Sequence, residues 1–200
     1  TLWGIDTTLI EKENRLLPGC LDTEMSRLLE KYFEENDIDY YLNTMVDRVE
    51  LSKEGSPIVF TNDGKKHEAD YLFLCLGIKP ETTIAEKAGI ATGDFGGIKT
   101  DSQMRTNIPG IWAGGDCTEI NSLVTGRPCY LPLGSLANRQ GRVIANSIAG
   151  LKDEFQGTSG AVSMKVFGFT VAAAGFSETL AKARGLDVES VEGTWYDRPE

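Results

Sequence analysis

The chain has 200 residues, with 30 Asp and Glu against 20 Lys and Arg, a formal net charge of −10 and a pI near 4.7, a balance that argues against nucleic acid or an anionic membrane as partner. Its 40% apolar content is enough to build one domain or two small ones, and no apolar run approaches the roughly 18–20 residues of a membrane span. The opening Thr-Leu-Trp-Gly-Ile-Asp lacks the basic-then-apolar pattern of a secretory signal and begins on Thr, as in a chain cut from a longer one.

Residues 7–11 read as a β-branched strand ending in Glu11. Residues 22–35 carry Met25, Leu28, Leu29, Tyr32 and Phe33 at helical spacing, with Asp22 or Thr23 as N-cap and Asn36 just past the end. Strands are predicted over 46–51, 57–61 and 69–76, with Asn62-Asp63-Gly64 as the turn between the last two. Residues 71–76, Tyr-Leu-Phe-Leu-Cys-Leu, form a continuous apolar run, as expected of a strand covered on both faces, and stop at Gly77. A loop with Pro128 and Pro132 leads to a helix over 135–149, whose apolar face is Leu136, Val143, Ile144 and Ile148 and which Gly150 ends. The polar stretch 152–160 marks a domain boundary. Beyond it strands are expected at 162–166, 170–174 and 188–195, with a helix at 177–184.

The four cysteines, Cys20, Cys75, Cys117 and Cys129, show no C-x-x-C spacing, and the single histidine, His67, reads as a solvent-facing turn residue. Zinc sites and redox dithiols are poorly supported, and unpatterned thiols suit a reducing cytoplasm. Cys75 and Cys129 read as packing residues, and Cys117 has no partner thiol or base near it in sequence.

The most informative stretch is 106–116, Thr-Asn-Ile-Pro-Gly-Ile-Trp-Ala-Gly-Gly-Asp. Ile111, Trp112 and Ala113 read as a short buried strand started by Pro109-Gly110. Gly114 and Gly115 allow a ligand close to the backbone, and Asp116 sets a carboxylate at the C-terminal strand edge, where cofactors lie in open α/β sheets. Without further context, a strand followed by an Asx turn explains the same residues.

This segment resembles the second flavin-contacting motif of the pyridine nucleotide-disulfide oxidoreductases, within the branch of coenzyme A-disulfide reductases, NADH oxidases and NADH peroxidases. The likeness runs in order along nearly all the chain. It implies an α/β fold of partial FAD- and NAD(P)-binding Rossmann-like domains followed by the start of an α+β dimerisation domain. The corresponding division is 1–77 for the end of the NAD(P)-binding domain, 78–153 for the returning half of the FAD domain, and 157–200 for the start of the dimerisation domain. It further implies hydride transfer from NAD(P)H through FAD to a small-molecule acceptor: coenzyme A disulfide, a persulfide, peroxide or oxygen. An intact cytoplasmic homodimer is implied too, with the family's reactive cysteine and N-terminal fingerprint outside this chain. No G-x-G-x-x-G occurs within it.

By the same resemblance Asp116, with Gly115 before it, bonds the ribityl hydroxyls of FAD. Glu11 bonds the adenosine ribose and favours NADH over NADPH, an effect that Lys12 and Arg15 can soften. Gly77 is the strand-ending glycine near the nicotinamide nucleotide. Gly134 starts a helix facing the flavin pyrimidine edge, where free N–H groups favour the reduced ring, and Asn138 takes the place of a substrate-contacting polar residue. No catalytic side chain and no metal ligand is assigned in this chain. Each position also has a plain structural explanation: a charged strand end, a turn glycine, or a glycine-started helix. Two alternatives stay open, an inert interaction or dimerisation module, and a ferredoxin reductase-like or thioredoxin reductase-like flavoenzyme, the latter opposed by the added segment 163–178.

Overall fold

The structure, a computed structural model, describes residues 4–195. In chain order its elements are β1 (Thr8–Ile10), α1 (Thr23–Glu35), β2 (Asp39–Tyr41), β3 (Val46–Leu51), β4 (Pro57–Thr61), β5 (Lys66–Glu68), α2 (Thr83–Lys87), β6 (Ile120–Asn121), β7 (Pro128–Cys129), α3 (Gly134–Ile148), β8 (Val162–Val166), β9 (Phe169–Ala173) and α4 (Glu178–Ala183). They form two compact units: residues 4–74 with 162–195, and residues 75–161. Helix and strand are mixed in the α/β manner expected.

In the first unit β1 runs parallel to β2, Thr8 opposite Asp39 and Ile10 opposite Tyr41. The pairing extends one step further, since the Glu11 N–H donates to the Tyr41 carbonyl at 2.8 Å. A three-stranded antiparallel sheet, β3-β4-β5, follows. The core gathers Leu16, Leu21, Leu29, Phe33, Ile38 and Val171. Leu29 and Phe33 are one helical turn apart, so they share a face of α1. That face is rotated from the predicted one: Ser26 is fully buried, while Met25 and Leu28 are exposed. The Ser26 hydroxyl lies 2.9 Å from the Leu16 carbonyl, and this hydrogen bond lets a polar group take the core position.

The hairpin β8–β9 belongs to this unit as well. Val171 enters the core, the Tyr32 and Phe169 rings lie 5.4 Å apart, and the Gly168 N–H donates to the Tyr32 hydroxyl at 2.8 Å. Helix α4 is held from a distance. Asp22, which precedes α1 but does not cap it with its side chain, accepts the N–H groups of Glu178 and Thr179 at 2.6 and 3.0 Å. Ser177 Oγ takes the next, from Leu180, and the Ser177 carbonyl accepts the first intrahelical bond, from Ala181.

Four expectations need correction. Residues 69–76 form no strand: residues 70–80 make no backbone hydrogen bond among the described residues, and Tyr71, Phe73 and Leu76 are more than 80% exposed. Apolar content marks a strand only when neighbours complete its ladder, and none does so here. Cys75 in that stretch is accordingly exposed, not packed. Residues 188–195 are irregular and largely exposed. His67 lies on β5 with its ring 4.8 Å from that of Tyr41, and its Nε2 is shielded from solvent without a hydrogen-bond partner. The Asn62-Asp63-Gly64 turn therefore joins β4 to β5, a strand the sequence does not announce.

Burial alone would raise the Asp22 carboxyl, but hydrogen bonds from Thr179, Glu178 and Ser177 outweigh it and hold the group below its ordinary value. The sign follows: the stabilisation is complete above the carboxyl's unfolded value and is lost as pH falls through the lower folded one. Asp22→Ala is expected to cost about 0.5–2 kcal/mol at neutral pH. The difference from wild type in urea unfolding should shrink towards zero in strong acid.

Candidate cofactor site

The second unit is mostly irregular. Its regular elements are two helices and the short β6–β7 hairpin, in which Ile120 pairs with Cys129 and Asn121 with Pro128. A core of Met104, Ile120, Leu136, Val143 and Phe155 holds it together, with Trp112 and Ile144 packed alongside. Phe155 lies in the polar stretch read as a boundary, and Thr158 bridges to Ser122, so this stretch is fastened to the unit.

Residues 111–113 do not make the expected buried strand. Trp112 forms a single bridge to Arg105, Ala113 is buried, and Ile111 is partly exposed. Three residues are too few for a ladder when the stretch is bracketed by Pro109-Gly110 and two glycines. The Trp112 indole N–H donates to Ser147 Oγ at 2.9 Å, fixing the stretch to α3.

The glycine turn that follows is tightly determined. A Cβ on Gly114 would stand 2.8 Å from Ile144 Cδ1 and 3.3 Å from Gln140 Cβ, so the missing side chain lets the turn lie against α3. Gly115 has a φ of +87°, in the left-handed region, and a Cβ there would lie 3.8 Å from that of Ala137 in the first turn of α3. Its N–H donates to Gln140 Oε1 at 2.6 Å. Gln140 is 1% exposed, and its Nε2 reaches Thr118 Oγ1 at 3.4 Å, while Thr118 Oγ1 donates to the Gly115 carbonyl at 2.8 Å. The Tyr130 hydroxyl donates to the Asp116 carbonyl at 2.8 Å. The Gly115 N–H and carbonyl and the Asp116 carbonyl are thus occupied. Its carboxylate is exposed and accepts no hydrogen bond from any described residue.

The structure brings Gly115, Asp116 and the start of α3 together. Helix α3 begins at Gly134, with Leu133 at the N-cap position offering no side-chain cap. The Leu136 and Ala137 N–H groups return to the Leu133 carbonyl, whereas those of exposed Gly134 and Ser135 have no protein partner among the described residues. Asn138 is exposed on the next turn, its amide donating to the Gly134 carbonyl at 3.1 Å. Arg139 lies over the Phe155 ring at 5.6 Å. Of the predicted apolar face of α3, Leu136 and Val143 are buried and Ile148 is exposed; Gln140 takes the buried place between them.

Glu11 and Gly77 belong to different units. Glu11 stands just past β1, and its Oε1 accepts the Glu13 N–H at 3.0 Å. Lys12 is paired with Glu13 at 3.5 Å, and Arg15 donates to the carbonyls of Leu21 and Pro18. Gly77 is exposed at a φ of +88°, which only glycine adopts without strain. All four cysteines are free. Among the described residues no helix is long and apolar enough to cross a membrane.

A model of the pyridine nucleotide-disulphide oxidoreductases matches residues 1–141. The chain belongs to this family. It is 30% identical over 185 residues to an NADH oxidase of Methanocaldococcus jannaschii, covering 92% of this chain and 41% of that protein. It is 30% identical to a CoA-dependent NAD(P)H sulfur oxidoreductase of Pyrococcus furiosus, covering 94% and 42% respectively. Among solved structures it is similar to a NAD-dependent persulfide reductase from A. fulgidus, at 39% identity and a TM-score of 0.87 over 92% of this chain and 34% of that one. The chain spans about two-fifths of the length of the curated relatives it matches.

Gln140 and Tyr130 escaped the sequence reading. A glutamine on an otherwise apolar helical face, at i+4 from Leu136, is the one signal available for the first. Replacing Gln140 with Leu strands the Gly115 N–H in a buried place and should cost about 1–3 kcal/mol, read as a lower urea midpoint with an unchanged m-value.

Proposed function

We propose that this family member is part of an NAD(P)H-dependent flavoenzyme in which the turn at Asp116 and the start of α3 hold FAD. One observation carries the reading: a turn held at the Gly115 N–H and carbonyl and at the Asp116 carbonyl presents an unpaired carboxylate beside a helix start with two free N–H donors. These groups fit a flavin. Asp116 and Gly115 suit the ribityl hydroxyls, and Gly134 with its neighbour Ser135 suits the acceptor-rich pyrimidine edge. The flavin, when bound, supplies the hydride-accepting chemistry.

The chain's own part is positioning and electrostatics. Asp116 accepts hydroxyl hydrogen bonds, which are worth more to a charged acceptor than to a neutral one. The free N–H pair and partial positive charge at the α3 start favour added negative charge on the ring, by about 0.3–2 kcal/mol depending on burial. Asn138, one turn on, is the proposed contact for a substrate. Gly77, in the second unit, is a proposed close backbone approach for a nucleotide, and Glu11, in the first, is a proposed contact for the ribose of the nicotinamide nucleotide. Its carboxylate would repel a 2′-phosphate, and the cations that could offset this are engaged, Lys12 with Glu13 and Arg15 with two carbonyls. NADH is therefore the favoured donor. The relatives' names supply the acceptor classes, oxygen in the NADH oxidases and persulfide or polysulfide with coenzyme A in the sulfur enzymes. We assign 1–77, 78–153 and 157–200 to the NAD(P), FAD and dimerisation domains of a cytoplasmic homodimer.

A second reading, an interaction module without cofactor, draws on the exposed apolar stretch around Tyr71 and Phe73. Adding FAD to the purified natural protein separates the two. The flavin reading expects a yellow complex, while a colourless protein at saturating FAD would overturn it. Asp116→Ala should weaken FAD binding by about tenfold to a hundredfold, the loss of one or two hydrogen bonds to a charged group. Separately, Glu11→Ala combined with Lys12→Arg should raise the ratio of kcat/KM for NADPH to that for NADH by at least about tenfold.

A further inference from the structure

We infer that Tyr130 is a positioning residue for Asp116, clamping the Asp116 carbonyl so that the carboxylate stays turned towards the hydroxyl groups of a polyol ligand. The inference rests on the flavin reading and adds to it a residue the sequence did not mark.

Three observations carry it. The turn at Asp116 is held on one side by Gln140, through the Gly115 N–H at 2.6 Å, and internally by Thr118, whose N–H and hydroxyl both reach the Gly115 carbonyl. Tyr130 adds a further hold, on the Asp116 peptide carbonyl at 2.8 Å. Without this bond the peptide after Asp116 can turn, and the backbone that carries the carboxylate is less firmly fixed.

The second observation concerns where Tyr130 stands. It directly follows β7 and lies four residues before Gly134, so one short stretch fastens the Asp116 turn and delivers the start of α3. The two halves of the proposed flavin contact are then registered by one side chain. The third is chemical: burial, and then the neighbouring Asp116, push the Tyr130 phenol above its ordinary value, which favours the protonated form that donates to the carbonyl. A phenol that close to the carboxylate spends its only proton on the carbonyl, so the carboxylate remains unpaired for a ligand.

The test uses the natural protein stripped of flavin, with Tyr130→Phe, Asp116→Asn and the double variant. Affinities are measured for FAD and for lumiflavin, which has the ring system but no ribityl hydroxyls. Tyr130→Phe should weaken FAD by about fivefold to tenfold, one hydrogen bond's worth, and leave lumiflavin within twofold. In the Asp116→Asn background the same change should have little further effect on FAD, because the group it positions has lost its charge. Equal weakening in both backgrounds overturns the inference. So does a Tyr130→Phe protein that binds FAD like wild type, or one that melts far below wild type without flavin and loses lumiflavin equally. A wild-type protein that binds no FAD overturns this inference and the flavin reading together.

Discussion

The second unit depends on one neutral side chain. Gln140 is buried between α3 and the glycine turn and uses both ends of its amide, the oxygen for the Gly115 N–H and the nitrogen for Thr118 Oγ1. Thr118 in turn gives its proton to the Gly115 carbonyl, so the three groups close a ring. A carboxylate of the same size would not serve. Its second oxygen would face the Thr118 oxygen, and the hydroxyl would have to turn away from the Gly115 carbonyl to meet it. An amide is the one group of that length that donates and accepts at once. Because the ring is buried, each of its bonds is costly to leave unmade. The spacing between turn and helix is therefore fixed, and Gly114 has to be glycine to fit inside it.

The same device recurs wherever the chain is irregular. Glu119 is buried and accepts the Phe95 N–H at 2.7 Å, and its carboxylate occupies the space that a Cβ on Gly93 would need. Asn107 accepts the Ala91 N–H and donates to the Gly89 carbonyl, tying itself to one loop at two points 16 and 18 residues away in sequence. In the first unit, Asp22 takes the first two N–H groups of α4. Sheets of two or three strands leave much backbone outside any ladder, and an unpaired buried peptide group is unfavourable. Polar side chains close that gap. Rigidity here comes from side-chain-to-backbone bonds, and the candidate site is held by them too.

This explains which parts of the fold were legible in advance. Helices α1 and α3, strands β3, β4 and β8, and the hairpin at Phe169 follow from periodicity and punctuation, which are local properties. The Gly-Gly-Asp turn and the glycine helix start were legible because glycine and a lone carboxylate are conspicuous. Gln140, Tyr130 and Glu119 were not, since a partner 14 to 25 residues away leaves no local trace. The run at 71–76 misled for a related reason: its composition is that of an inner strand, but a strand is a property of its neighbours. The face of α1 was misjudged because Ser26 looks polar until the Leu16 carbonyl is seen beside it.

The charge of the chain fits the ligand proposed for it. A protein with a net charge of −10 is an unfavourable host for a diphosphate unless cations are concentrated at the contact. Around Asp116 they are not: the turn presents a carboxylate, the tyrosine a neutral phenol, and the helix start two peptide N–H groups. Arg139, on the same helix, is drawn over the Phe155 ring. Near Glu11 both cations are occupied. The unpaired carboxylate repels phosphate oxygens and suits hydroxyl donors, and the free N–H groups of the α3 start suit the carbonyl acceptors of a heterocycle. They match the sugar-alcohol and ring portions of a flavin dinucleotide and not its phosphates. The acidity that argues against nucleic acid as a partner is, at the scale of a single turn, suited to the uncharged portion of the proposed cofactor.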